Sequence, residues 1–428
     1  MTFGARRIGM RFEERTHTDA ERFEISHSFS VFSGMDFADT APQARLREEL
    51  RDWLAEHLVG EFARHRGVGG PADDSHWELR LAWERELAAG NWLGITWPRE
   101  YGGRGGTLDE EIVFLEEHFR ARAPYWVGVH GRDLFGPTLL EAGTAEQRAR
   151  FLPRIMACED MWGQGFSEPE AGSDLGGVRT RARLDDDTNE WVIDGQKIWM
   201  TFGTRADWLY VLCRTDPTAP KHRGLSLILV PAHQDGVDIR PIRNLAGGEE
   251  FAEVFFTGAR TAADLVVGPV DGGWGVVMGT VGTERGTTVL PYQAAFEHQL
   301  HELIACARAR HGMDDPVLRD RLVDAWIGLQ LNRHNNARML TQLLRTGALG
   351  PEASLSKLFW SQWHQSLGSL MMDVVGADAT VVGNGYVLDP FQIVFLNSRA
   401  ETIYGGANEI QRNIVAERVL GLPKEPRA

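Results

Sequence analysis

The sequence predicts an α+β protein in three consecutive parts: a helical N-terminal domain, a small all-β middle domain and a C-terminal bundle of long helices. Three observations carry this. Apolar residues recur with helical spacing up to about Cys158, short strand-forming runs bounded by Pro, Gly and Asp fill 159–268, and long helical periods return after Gly272-Gly273-Trp274. The boundaries so drawn are an extension over 1–34, a helical domain over 35–158, a β domain over 159–268 and a bundle over 269–428. A chain of 428 residues has room for two or three cores.

Residues 1–34 carry Arg6, Arg7 and Arg11, but Glu13, Glu14, Asp19, Glu21 and Glu24 interrupt the apolar run a signal peptide needs. This segment is expected to be a poorly ordered extension, with Met35 opening the folded chain. Leu46, Leu50, Trp53, Leu54 and His57 then follow the spacing of one face of an amphipathic helix. Segments 77–89, 108–119 and 145–157 read the same way, and the Pro- and Gly-rich stretch 97–106 is a loop. In the middle third, Glu190 to Thr201 is expected to be a hairpin turning at Asp194-Gly195, followed by strands over 208–213, 225–230 and 252–256. Helices are then predicted over 276–310, with Pro291 as a kink, over 317–345 and 351–375, and over 408–420 after the turn Tyr404-Gly405-Gly406-Ala407.

Composition excludes several functions. Acidic residues outnumber basic ones 60 to 45, and the net charge of −15 repels nucleic acid and anionic membrane. No run approaches the roughly 20 apolar residues that span a bilayer. Cys158, Cys213 and Cys306 form no CxxC pair, which fits a reducing cytoplasm. No lysine follows a glycine, so there is no Walker A loop, and neither GxSxG nor HExxH occurs. His298 and His301 lie three apart without a third ligand, and no metal is assigned.

One segment has the chemistry of a ligand loop: Gly163-Gln-Gly-Phe166-Ser167-Glu-Pro-Glu-Ala-Gly172-Ser173-Asp174, with Trp199-Met-Thr201 on a following strand. Small hydroxyl residues and glycines let backbone donors approach a ligand, and a strand tryptophan packs on a flat ring such as a flavin. The same residues also fit an ordinary turn and ordinary core packing.

The run Ser167 to Asp174 followed by Gly195-Gln-Lys197-Ile-Trp199-Met-Thr201 resembles the signature of the acyl-CoA dehydrogenase family. The resemblance extends through Glu284-Arg285-Gly286 and Ile403-Tyr404-Gly405-Gly406-Ala407-Asn408-Glu409-Ile410-Gln411-Arg412, and covers essentially Met35 to Leu422. It implies a helical domain, a β-barrel or sandwich and a four-helix bundle, assembled as a homodimer or homotetramer. It implies FAD as cofactor, an acyl-CoA or acyl-carrier-protein thioester as substrate and an electron-transfer flavoprotein or similar acceptor. By the same resemblance Phe166, Ser167, Trp199 and Thr201 hold the flavin, Arg310 reaches the FAD pyrophosphate of a neighbouring subunit, and Ser173 and Arg285 contact the substrate. The family's carboxylate after the Tyr of the Ile-Tyr-x-Gly segment is Gly405 here, whose backbone N–H still polarises the thioester carbonyl. Glu284, on the first bundle helix, is then the expected base, as in isovaleryl-CoA dehydrogenase, with Glu409 next in line.

The family's following Thr is Ala407, and its bundle-loop Gln and Gly-Gly are replaced by Asp373-Val374-Val375-Gly376-Ala377. Three functions therefore remain open: an FAD-dependent dehydrogenase moving an α-proton to Glu284 and a hydride to flavin N5, a non-catalytic partner subunit of a hetero-oligomer, and a flavin monooxygenase on the same fold. His130, Arg132 and Asp133 align with the family's acyl-pocket floor. They imply either a functionalised acyl group or side chains paired with one another.

Overall fold

The middle of the chain is a single sheet folded around its own core. In the computed structural model its strands are β1 (Trp162–Gly165), β2 (Arg181–Asp185), β3 (Glu190–Thr201), β4 (Trp208–Arg214), β5 (Leu225–Pro231), β6 (Val237–Ile242), β7 (Phe251–Ala262) and β8 (Val266–Val267). They join in the order β6-β7-β3-β2-β4-β5-β8, and β1 adds parallel to β4. Alternation decides where side chains go. Leu209, Val211 and Cys213 of β4 turn inward with Ile228 and Val230 of β5, Trp191 and Ile193 of β3, and Val254 and Phe256 of β7. Tyr210, Leu212, Leu227 and Leu229 point the other way, into a second cluster shared with helices. Burial on both faces is why these two strands read as continuous apolar runs.

The hairpin expected at Asp194-Gly195 does not form. Strand β3 runs unbroken from Glu190 to Thr201, and β7 pairs along it with register shifts at Ile193/Asp194 and Lys197/Met200. The turn lies earlier, between β2 and β3, where Asn189 takes φ 55°. Gly195 is required for a different reason: its φ is +152°, and a Cβ there would stand 2.7 Å from the Thr180 Cα. Asp194 Oδ1 accepts the Gly258 N–H at 2.7 Å across the irregularity. Asp-Gly here marks a bulge and a close backbone approach.

On one face of the sheet lie α1 (Ala41–His57), α2 (Gly60–Arg64), α3 (Trp77–Ala89), α4 (Leu108–Arg120), a π-helical turn His130–Phe135 leading into α5 (Gly136–Ala142), and α6 (Ala145–Met156). Thr107 and Thr144 open α4 and α6 with capping boxes closed by Glu110 and Gln147. Helix α7 (Gly273–Thr287) packs against β5 and the π-helical turn. Beyond it α8 (Val289–His311), α9 (Pro316–Thr346), α10 (Ala353–Val375) and α11 (Pro390–Ala400) form the bundle, and α12 (Asn408–Ile414) follows. Phe296, Leu300, Leu303 and Ala307 of α8 recur at alternating spacings of four and three, and meet Leu322 and Leu329 of α9 and Leu367, Leu370, Met371 and Val374 of α10.

The structure describes residues 39–424 except 71–72, 288, 312–313, 348 and 351–352. The side chains of 283–287, 289–291 and 311 also lie outside the described residues, and with them the Pro291 kink; so does the 1–34 extension. Among the described residues no helix is long and apolar enough to cross a membrane.

Candidate active site

Lys197, in the middle of β3, is fully buried, with its ammonium 2.9 Å from Glu168 Oε1 and 3.0 Å from the Phe166 carbonyl. The Glu168 carboxylate also accepts the Arg179 and Thr180 N–H groups at 2.7 and 2.8 Å. Burial pushes the Glu168 carboxyl up, but Lys197 and the hydrogen bonds more than reverse this and hold it below its ordinary value. Burial pulls Lys197 toward the neutral amine. The carboxylate and carbonyl both facing Nζ favour the charged form, so the pair stands as an ion pair. Such a pair fixes geometry more than it adds stability.

What it fixes is the loop after β1 against β3: Ile198 N–H donates to the Ser167 carbonyl at 3.0 Å. The next residue, Trp199, lies in the bulge with φ 61° and leaves 58% of its surface exposed, its indole edge-on to Phe251 at 6.2 Å. A left-handed tryptophan costs on the order of 1 kcal/mol, and an indole this exposed adds little to packing. Thr201 is half-buried opposite Phe251, Phe166 is buried edge-on to Tyr210 at 5.6 Å, and Ser173 is exposed.

In the turn before α12, Gly405 and Gly406 take φ +61° and +88°, and Gln411 Nε2 donates to their carbonyls at 3.0 and 3.3 Å. Their own N–H groups have no acceptor among the described residues, and a Cβ at Gly405 would meet nothing within 4 Å. Glu409 is exposed and pairs with Arg412. Arg310, near the end of α8, lies 2.9 Å from Asp378 and 3.2 Å from the Val375 carbonyl. Residues 284 and 285 lie on α7, and their side chains are outside the described residues.

His130, Arg132 and Asp133 answer the question the sequence left open. Arg132 is buried between Glu84 at 2.6 Å and Asp133 at 2.7 Å, with its guanidinium over Trp126. Burial pushes His130 down to about 4, so it is neutral near pH 7. Arg132, Asp133 and Glu84 form a closed brace between α3 and the π-helical turn, with the cation already matched by two carboxylates, whereas the buried His130 Nδ1 has no partner among the described residues.

Three family models match the chain in order: the acyl-CoA dehydrogenase N-terminal domain over residues 40–159, the middle domain over 163–259 and the C-terminal domain over 271–420. The chain belongs to the acyl-CoA dehydrogenase family. It is 46% identical over 388 residues to the acyl-CoA dehydrogenase IpdE1 of Mycolicibacterium smegmatis, covering 89% of this chain and 97% of that one. Among solved structures it is similar to the Tcur3481-Tcur3483 steroid ACAD, with TM-score 0.79 and 29% identity over 91% of this chain and 100% of that one. It is also similar to the ChsE4-ChsE5 complex from Mycobacterium tuberculosis, with TM-score 0.75 and 28% identity over 91% and 100%. The protein is thus an acyl-CoA dehydrogenase oxidoreductase of a family that uses FAD.

The residues present fit that cofactor. An exposed indole held out of a strand by a bulge, beside a loop pinned to that strand by a buried ion pair, is a platform for a flat ring. The sequence showed Phe166, Ser167, Trp199 and Thr201, and the structure brings them to one region. It missed the partners that hold them. Lys197 was legible as the one basic residue of its strand, and Glu168 as the first of the acids in the loop. Gln411 carried no signal of its reach back to Gly405.

Proposed function

We propose that this dehydrogenase oxidises an acyl thioester between Cα and Cβ to the 2-enoyl thioester, with Glu284 as the base. The observation that carries this is Gly405: its carbonyl is occupied by Gln411 and its N–H is unpaired among the described residues, in an open turn. That N–H donates to the thioester carbonyl as negative charge builds on its oxygen, and no side chain at 405 is needed for it. The Glu284 carboxylate takes the Cα proton from the neighbouring helix α7. FAD, when bound, supplies the acceptor for the hydride leaving Cβ. Trp199, Phe166, Ser167 and Thr201 hold the ring, and Ser173 and Arg285 orient the substrate. Arg310 exchanges Asp378 for the pyrophosphate held by a neighbouring subunit. An electron-transfer flavoprotein of the cytoplasm reoxidises the enzyme.

The name of one structural neighbour, the Tcur3481-Tcur3483 steroid ACAD, makes steroid-derived acyl-CoA thioesters the first class to try. Anaerobic titration of the FAD-loaded protein with such thioesters, with straight-chain acyl-CoAs and with their carrier-protein analogues tests the reading. Bleaching of the flavin band by at least one of them is expected. No bleaching by any, with FAD bound, would count against it. A second reading, that the chain is the non-catalytic subunit of a hetero-oligomer, draws support from Gly405, from the altered 373–377 loop and from the similarity to the ChsE4-ChsE5 complex. Co-purification with a distinct homologous chain that alone restores bleaching would favour it.

A further inference from the structure

The turn 402–407 is gripped from behind at both ends. Glu401, 5% exposed, precedes it, and Asn408, 6% exposed, follows it. His364, on α10 and buried to the same degree, has Nδ1 at 2.8 and 2.7 Å from the two Glu401 carboxylate oxygens, so Nδ1–H donates to a group that only accepts. Its Nε2, left as the acceptor, is 2.7 Å from the Gln299 side-chain amide on α8, whose NH2 donates to it, and its ring lies 4.3 Å from that of Phe296. At the other end Ser361 Oγ and Lys357 Nζ, also on α10, donate to Asn408 Oδ1 at 3.1 and 3.4 Å. The Asn408 N–H closes the turn on the Thr402 carbonyl at 3.0 Å.

A carboxylate and an imidazole inside a helix bundle are costly to desolvate, and an apolar pair would join α10 to α11 as well. What the polar set adds is one geometry. Two consecutive glycines lose more freedom on ordering than any other pair, and at 405 there is no side chain to anchor the turn. The order must come from the flanks.

We propose that His364 is a positioning residue: through Glu401 and Gln299 it holds the 402–407 turn, and with it the Gly405 N–H, in register with α8. This rests on the reading of Gly405 as the donor to the thioester carbonyl. Helix α8 follows directly on α7, which carries Glu284, so the imidazole links the two elements assigned to the carbonyl and to the α-proton.

FAD-loaded His364→Leu, His364→Asn and Glu401→Gln variants test this with two readouts. One is backbone hydrogen exchange over 402–411. The other is acetoacetyl-CoA binding, followed by the long-wavelength band its enolate gives beside oxidised flavin, which reports carbonyl polarisation. In His364→Leu, exchange over 402–411 should rise at least about tenfold while 163–201 stays unchanged, and acetoacetyl-CoA should bind at least about tenfold more weakly. His364→Asn, whose amide still donates to Glu401, should recover most of both. Wild-type exchange and binding in His364→Leu overturns the proposal. If that variant does not fold, Glu401→Gln, equal in volume and without the charge, decides by the same readouts. If the wild-type protein gives no band, acetoacetyl-CoA is not a ligand of this site and exchange alone decides for or against His364, while the thioester reading stands or falls with the bleaching titration.

Discussion

A tryptophan in left-handed backbone, with its indole in water, persists because its neighbours hold it. Trp199 sits one residue beyond the Ile198–Ser167 hydrogen bond and two beyond the Lys197–Glu168 pair, so the strain at φ 61° is imposed by contacts on the buried side of β3. Trp199→Ala should therefore leave stability within about 1 kcal/mol of wild type, because little packing is lost. It should weaken FAD binding about tenfold, the value of a lost ring stack. Thermal melts of the apo-protein and fluorescence titration with FAD check the two parts. At this scale the sequence was informative where a residue type is odd for its place, as with an aromatic in the Gly-Gln-Lys-Ile-Trp run. It was silent where the chemistry belongs to a contact between distant residues. Nothing local to His364 foretells Glu401, 37 positions on.

Among the elements, β3 shows how a correct local signal was given the wrong geometry. Asp-Gly favours a tight turn only when the flanking strands pair with each other. Here β7 offers a longer partner to nearly all of β3, and pairing at ten of its twelve residues outweighs a hairpin of half that length. A titrating group stands immediately before β7. Glu250 is buried, takes a hydrogen bond from Asn244, and offers its carbonyl to the Phe202 N–H at 2.6 Å. Burial pushes its carboxyl up to about 7; hydrogen bonding opposes this, and Asp74 and Asp73 add to it. A carboxyl whose folded-state value is raised binds more protons folded than unfolded between about 4.5 and 7. The contribution of this carboxyl to stability therefore falls as pH rises through that window and is constant above it. Glu250→Gln should remove this slope, gaining on the order of 1–2 kcal/mol relative to wild type at pH 8 compared with pH 4, as read by urea denaturation at both.

At the scale of the molecule, the three-part order was legible because apolar periodicity changes abruptly near 159 and again near 272, and each change marks a change in what the chain packs against. The long bundle helices α8, α9 and α10 appear as long periods for the same reason. Helix α11, only 11 residues long, was not foreseen, and neither was the break between α7 and α8, since the apolar spacing continues through it. One face of α9 remains uncovered: Val323, Trp326, Ile327 and Leu331 are each more than 40% exposed and follow helical spacing. Taken with Arg310 near the end of α8, this face is our proposed subunit contact. Light scattering should find a dimer or tetramer, and Trp326→Asp with Ile327→Asp should shift it toward monomer and release FAD. A wild-type monomer that binds FAD tightly contradicts this.

The central claim is that a dehydrogenase with glycine at 405 draws its base from α7. Stopped-flow reduction of bound flavin under anaerobic conditions, by a thioester that bleaches the wild-type protein, tests it most directly in Glu284→Gln. The account predicts retained FAD and thioester binding with a reduction rate at least about a hundredfold lower, the usual contribution of a positioned base. Reduction at the wild-type rate would contradict it, and would move the search for the base to Glu409.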